Sequence, residues 1–204
     1  MTNSFVSAKN REQKEFILSI VNSPVTFVTG TAGTGKTFIS IGIALEHLLR
    51  GKCNKVVLSR PLVCTGKTLP AIPGDFKEKL DPYWGQAKQY IYDFLGRKAA
   101  LELESSGKLE YTPLELMRGS NLTKTYLILT EGQNATYEQL KMLLTRIGDD
   151  DSKIIIDGDL EQIDIKTCFM KQVIDKIGHL DEVGVVELIE SLRNPIVQKI
   201  ARLL

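Results

Sequence analysis

The chain has 204 residues, of which 43% are hydrophobic and 25% charged, and its formal net charge is +1. That length suits one ordinary domain with a sizeable core, or two small ones, and the near-neutral balance excludes a strong global field for drawing in nucleic acid, leaving only a local basic groove open. The three cysteines, Cys53, Cys64 and Cys168, lack C-x-x-C spacing; they argue against a disulfide framework or a zinc site, and no apolar run nears the roughly 20 residues of a membrane span, so a soluble cytoplasmic protein without a leader or membrane anchor is expected.

The first predicted element is a helix over Asn10–Val21, with Phe16, Ile17, Ile20 and Val21 at helical spacing and Pro24 just beyond. Val25, Phe27 and Val28 then form a short apolar run that suits a buried strand. Gly30-Thr31-Ala32-Gly33-Thr34-Gly35-Lys36-Thr37 comes next and fits G-x-x-x-x-G-K-[ST] at every required position. Phe38, Ile39, Ile41, Ile43, Ala44, Leu45, Leu48 and Leu49 continue as a helix ending at Gly51. Strand, glycine-rich turn and helix N-terminus together make a phosphate cradle: the glycines turn backbone N–H groups inward and the helix dipole adds its positive end. In such a cradle Lys36 reaches the β- and γ-phosphates and the Thr37 hydroxyl can ligate Mg²⁺. Gln13, in the helix before the strand, has two readings: a contact to an adenine edge, as in many nucleotide-driven motors, or a solvated polar face.

Lys55–Ser59 is a second buried strand, ended by Arg60-Pro61. The strand–helix–strand order predicts a right-handed parallel crossover, and a strand-end arginine in such a sheet lies on the ligand side. Arg60 therefore meets either a phosphate or nucleic-acid backbone, or a surface carboxylate. Residues 66–74 read as loop, with Pro70, Pro73 and Gly74. Asp75–Leu103 reads as polar helix in which aromatics (Tyr83, Trp84, Tyr90, Tyr92, Phe94) interleave with lysines. It is either a stacking surface for a single strand or an inserted helical pair whose aromatics pack on the sheet; helical spacing favours the second. Thr125–Thr130 is the third predicted strand, with Glu131 at its tip, followed by a helix over Thr136–Ile147 that contains Arg146. Lys153–Ile156 is a fourth strand ending in Asp157-Gly158-Asp159-Leu160-Glu161-Gln162, Cys168–Ile177 a helix, Val183–Ile189 a fifth strand, and Ser191-Leu192-Arg193-Asn194-Pro195 leads to a last helix. Strands and helices alternate, so a parallel α/β sheet is expected.

The ordered stations resemble the PhoH-like ATPases, a P-loop family close to the superfamily-one helicase core. They are the P-loop, Arg60-Pro61, Pro73-Gly74-Asp75, Asp81-Pro82, Met117-Arg118-Gly119, Glu131 with Gln133-Asn134, Leu144-Thr145-Arg146, Gly158-Asp159 with Gln162, and Arg193 with Pro195. The resemblance implies a three-layer, RecA-like P-loop NTPase over 1–204 as a single domain, with a helical insertion at about 75–120. It implies ATP and Mg²⁺ as cofactors, RNA or single-stranded DNA as partner, and a homo-oligomer, with a hexameric ring as one form. The nucleotide-binding set is then Gln13, Gly30, Thr31, Ala32, Gly33, Thr34, Gly35, Lys36, Thr37 and Phe38. Lys36, Glu131, Gln162 and Arg193 are the catalytic candidates, with Glu131 polarising the attacking water and Gln162 sensing the γ-phosphate. Arg193 or Arg146 would serve as an arginine finger, within the chain or from a neighbour, and Arg60 as a nucleic-acid contact.

Two departures from the family pattern stand out. The family carries Asp-Glu at the third strand tip, where this chain has Thr130-Glu131, and a small hydroxyl residue before Gly-Asp at the next tip, where this chain has Asp157. Thr37, Asp157 and Glu131 are therefore the metal candidates, with Asp157 supplying the carboxylate that Thr130 lacks. Drift in a weakened enzyme and an inactivated ATP-binding module are the alternatives. The leading function is ATP hydrolysis coupled to RNA or single-stranded DNA; the other is a nucleotide-binding regulatory or scaffold module with weak turnover.

Overall fold

The computed structural model describes residues 4–62, 80–119, 122–148, 151–160, 162, 167–192 and 196. The apolar runs become parallel strands: Val25–Thr29 (β1), Lys55–Arg60 (β2), Leu109–Pro113 (β3), Thr125–Leu129 (β4), Lys153–Gly158 (β5) and Val183–Glu187 (β6). They pair in the order β3-β2-β4-β5-β1-β6. Central strands read as near-continuous Val, Ile and Leu because helices cover both faces. Against one face lie α1 (Arg11–Asn22), α2 (Lys36–Leu49), α3 (Gly85–Leu95) and α4 (Arg97–Ser105), which bury Phe16, Ile43, Ile91 and Ala100 against Val28, Val56, Ile128 and Ile155. Against the other lie α5 (Tyr137–Leu144) and α6 (Phe169–Ile177), which bury Leu140 and Met170 against Phe27, Leu127 and Ile156. Each such buried aliphatic side chain contributes roughly 1.5–3 kcal/mol, so two filled interlayers hold the three-layer stack. No helix among the described residues is long and apolar enough to cross a membrane.

Local chemistry sets the helix starts. Asn10 caps α1 by accepting from Gln13 N at 2.8 Å. Thr136 and Gln139 form a reciprocal capping box at α5. That helix stops at Leu144 rather than running on to Ile147, because Thr145 and Arg146 close a turn and Ile147 bridges to Leu122.

β3 adds an edge strand to the five expected from sequence. Leu-Glu-Tyr-Thr-Pro alternates instead of running apolar, and among the described residues it pairs with β2 alone. α3 and α4 lead into it. Their aromatics belong to the packing reading: Trp84 is buried, lies against Tyr111 and joins the core, and Phe94 packs on Phe38 and Phe5. Residues 75–79 of that segment lie outside the described residues.

Strand register aligns two tips of the sheet. Val28 pairs with Asp157 across β1 and β5, and Leu129 pairs with Ile156 across β4 and β5. Thr130 and Asp157 are therefore side by side at the carboxyl edge of the sheet, beside the turn that leaves β1.

Candidate nucleotide-binding site

At the end of β1 the chain turns sharply twice. Gly30 has φ 137°, and a Cβ there would sit 2.1 Å from the Leu188 carbonyl oxygen, so the loop can lie against the chain after β6 only with glycine. Gly35, at φ 95°, starts α2 without any side-chain cap, which leaves the first-turn N–H groups to an incoming anion. The Lys36 ammonium donates to the Gly30 carbonyl and, at 3.0 Å, to the Thr31 carbonyl, so it lies folded over the loop it would share with a phosphate.

The loop is braced from two sides. Gln13, only 2% exposed, donates from Nε2 to the Thr34 carbonyl at 3.0 Å and accepts at Oε1 from Lys9 N at 2.9 Å. On the other side Leu192 N donates to the Gly33 carbonyl at 3.0 Å and Leu188 N to the Thr29 carbonyl at 2.9 Å. Gln13 is thus neither solvated nor in the wall of the cavity. Its amide helps to hold the P-loop in shape.

The cavity above the loop measures about 490 Å³. Residues 32–38 of the loop and helix start form its floor, broken only by buried Thr34; Glu131, Asp157, Asp159 and Gln162 stand at the strand tips, and Gln86 and Tyr90 reach in from α3. Asp157 is the best-fixed of these. It is 3% exposed, accepts from the Thr37 hydroxyl at 2.8 Å through Oδ2 and from Glu131 N at 3.3 Å through Oδ1. Burial pushes its carboxyl up to about 6, against the opposing pull of the Thr37 hydroxyl and the nearby Lys36 charge. Thr130, by contrast, spends its hydroxyl and its N–H on the Ser59 carbonyl, at 3.3 and 2.8 Å.

Glu131 sits at φ 56° at the turn after β4, a left-handed conformation that a non-glycine residue adopts under local constraint. Gln133 supplies part of that constraint. Buried to 1% exposure, it donates from Nε2 to Glu131 Oε2 at 2.8 Å and to the Gln162 carbonyl at 3.0 Å, and accepts at Oε1 from Asp159 N at 3.1 Å. One amide therefore ties together both strand tips and the residue at the cavity rim. The sequence shows Gln133 in the Glu-Gly-Gln-Asn run, but its partners come from segments far along the chain.

The donors fit Mg²⁺. A hydroxyl and a carboxylate in contact at the floor of an open polar cavity are hard oxygen ligands, and Mg²⁺ characteristically takes one or two of these and completes its shell with phosphate and water. No group of three or more His, Cys, Asp or Glu able to hold a metal occurs among the described residues, so nothing there resembles an all-protein metal cage.

The family model of the PhoH-like proteins matches residues 5–204. The chain belongs to the PhoH-like family. It is 41% identical over 160 residues to a PhoH-like protein of Synechocystis, covering 78% of this chain and 48% of that one. To a PhoH-like protein of Bacillus subtilis it is 36% identical over 200 residues, covering 96% of this chain and 62% of the relative. The chain thus spans between about half and three fifths of the length of these relatives. Among solved structures, the N-terminal domain of the bacteriophage phi29 DNA packaging ATPase superposes with TM-score 0.51 at 12% identity, covering 91% of this chain and 98% of that domain. The PhoH-like chain accordingly has the P-loop NTPase fold.

The remaining site candidates of this PhoH-like chain separate. Gln162 and Phe38 join the cavity wall. Arg60 does not: its guanidinium donates to the Tyr83 carbonyl at 3.1 Å and lies over the Tyr83 ring, so among the described residues it braces the turn that starts at Asp81 and forms neither an ion pair nor part of the cavity wall. Arg146 comes just after α5, next to the Ile147 bridge to Leu122, which places it where β4 and β5 begin. That is the sheet edge remote from the P-loop, so it cannot act as an arginine finger on its own chain's nucleotide. Arg193 lies outside the described residues. Gln86 and Tyr90 are cavity residues that the sequence does not assign to the site, and it gives Gln133, one of the family stations, no role there.

Proposed function

We propose that this chain binds Mg²⁺-ATP at the P-loop and hydrolyses its terminal phosphate. The observation that carries the reading is the 2.8 Å contact between Thr37 Oγ1 and Asp157 Oδ2, with Glu131 on the adjoining strand tip. Asp157 then fills the carboxylate role that Thr130 leaves open, one strand nearer the P-loop. Mg²⁺ bound at Thr37 and Asp157 would neutralise charge on the β- and γ-phosphates. Lys36 exchanges its loop carbonyls for those phosphates, and the first-turn N–H groups of α2 cradle them. Glu131, oriented by Gln133, takes the proton of the attacking water. Gln162, whose carbonyl shares the Gln133 amide, senses the γ-phosphate. Arg193 is the arginine finger of this scheme, on the family resemblance alone. Coupling to RNA or single-stranded DNA and assembly into a homo-oligomeric ring complete the proposal and rest on the family resemblance; a cytoplasmic location rests on the cysteine pattern.

The test is phosphate release with RNA, with single-stranded DNA and with neither. Lys36→Ala is expected to abolish turnover, and Glu131→Gln to retain ATP but stop its cleavage. Normal hydrolysis by Glu131→Gln removes the water-activating role. A second reading, a nucleotide-binding module with little turnover, is favoured by Thr130 at the usual acidic position; ATP binding without phosphate release under every condition would select it.

A further inference from the structure

α3 brings into the nucleotide cavity two polar side chains that the phosphate-binding motif does not require. Gln86 and Tyr90 lie one helical turn apart, and the Gln86 amide donates to the Tyr90 hydroxyl at 3.0 Å. The Tyr90 ring meets the Phe38 ring edge-on, with centroids 5.4 Å apart, and Phe38 is packed in turn on Phe94 at 4.7 Å. Because Phe38 directly follows Thr37, this packing fixes the phenol relative to the metal-binding hydroxyl. A phenol oxygen that already accepts from an amide keeps its own proton to donate, and the second hydrogen of the Gln86 amide is likewise available. Neither proton has an acceptor among the described residues.

The sheet order decides which end of a nucleotide they face. α1 and α3 both pack on α2; α1 also packs on β6, whereas α3 packs on α4, which packs in turn on β3. β6 lies on one side of β1, and β5, β4 and β2 lie in that sequence on the other. Asp157 and Glu131, at the ends of β5 and β4, are therefore on the α3 side of the P-loop. That side is where metal and water act on the last phosphate.

We propose that the Tyr90 hydroxyl and the Gln86 amide donate hydrogen bonds to the terminal phosphate of a bound nucleoside triphosphate and so make the site favour tri- over diphosphate. The proposal rests on the P-loop reading above and adds a positioning pair to it.

Isothermal titration of the full chain with Mg²⁺-ATPγS and with Mg²⁺-ADP tests it, using Tyr90→Phe and Gln86→Ala. Phenylalanine keeps the ring packed on Phe38, and an unchanged melting temperature verifies this. Each variant is expected to lose about three- to tenfold in ATPγS affinity, the worth of one hydrogen bond, while ADP affinity stays within about twofold. Equal losses for both nucleotides would mean a base, ribose or inner-phosphate contact and would overturn the proposal, as would no loss for either. In both cases the wild-type chain still binds nucleotide and the P-loop reading stands. A wild-type chain that binds neither nucleotide would sink both.

Discussion

The exchange of residue types between two neighbouring strand tips can be tested by reversing it. Asp157→Thr removes the acceptor of the Thr37 hydroxyl at 2.8 Å and of Glu131 N at 3.3 Å. The first is a short bond to a buried carboxylate; the second is long and weak. In the proposed complex the carboxylate would exchange these bonds for Mg²⁺, a contact the free protein lacks; if that contact is worth at least a hydrogen bond to a charged group, roughly 1.5–3 kcal/mol, its loss corresponds to about 30-fold in rate at 2 kcal/mol. Asp157→Thr should therefore lower kcat/KM for Mg²⁺-ATP by about 30-fold or more and shift the Mg²⁺ dependence to higher concentration. Adding Thr130→Asp restores a carboxylate on the adjacent strand and should recover most of that loss. Phosphate release measured across a Mg²⁺ titration for the parent, the single variant and the double variant decides the matter. Without nucleotide the single variant should melt no lower than the parent, because burial already disfavours the charged carboxyl. Parental turnover by Asp157→Thr, or a double variant no better than the single, would refute the reasoning.

Two further outcomes concern the scaffold. Gln13→Ala removes two hydrogen bonds of a residue that is 2% exposed and should cost about 2 kcal/mol, lowering the melting temperature by roughly 4–8 °C; an unchanged melt would show that Gln13 does not brace the loop. His47 is buried, its Nδ1 lies 2.6 Å from the Tyr126 hydroxyl, and burial followed by the Lys52 charge lowers its pKa. A group whose folded pKa is depressed contributes stability that is present above its unfolded value, about 6.5 for histidine, and is lost as pH falls through the folded one. Denaturant unfolding between pH 7 and pH 5 should therefore show a steeper loss for the parent than for His47→Gln, and parallel curves would contradict the burial argument.

The central sheet was legible because strands covered on both faces are written as uninterrupted Val, Ile and Leu, as in β4 and β5. β3 was not, since a short edge strand that alternates and ends in proline reads like loop. The P-loop announces itself because its chemistry is local. Gln86 and Tyr90 reach the site only through tertiary packing, and nothing at their own positions distinguishes them from surface amides and core aromatics; Gln133 stands in a family station, but its role depends on partners far along the chain. Arg146 could have been placed from sequence: in a parallel strand–helix–strand unit, the end of the helix arrives where the next strand begins, away from the ligand edge. Gln13 shows the opposite limit. Its position was meaningful, but only the paths of Lys9 and Thr34 reveal that its amide braces the loop.

The double bracing of the glycine-rich turn has a mechanical consequence. Gln13 grips Thr34 from the first helix, and Leu188 and Leu192 grip the turn from the chain that leaves the last strand. The ordering of this turn is completed during folding, so an arriving triphosphate meets donors already aimed rather than a coil it must arrange. The same ties make the turn a junction. In the proposed function a shift of Leu192 or a tilt of the first helix would displace the amides that cradle phosphate, and release of that phosphate would act back on both.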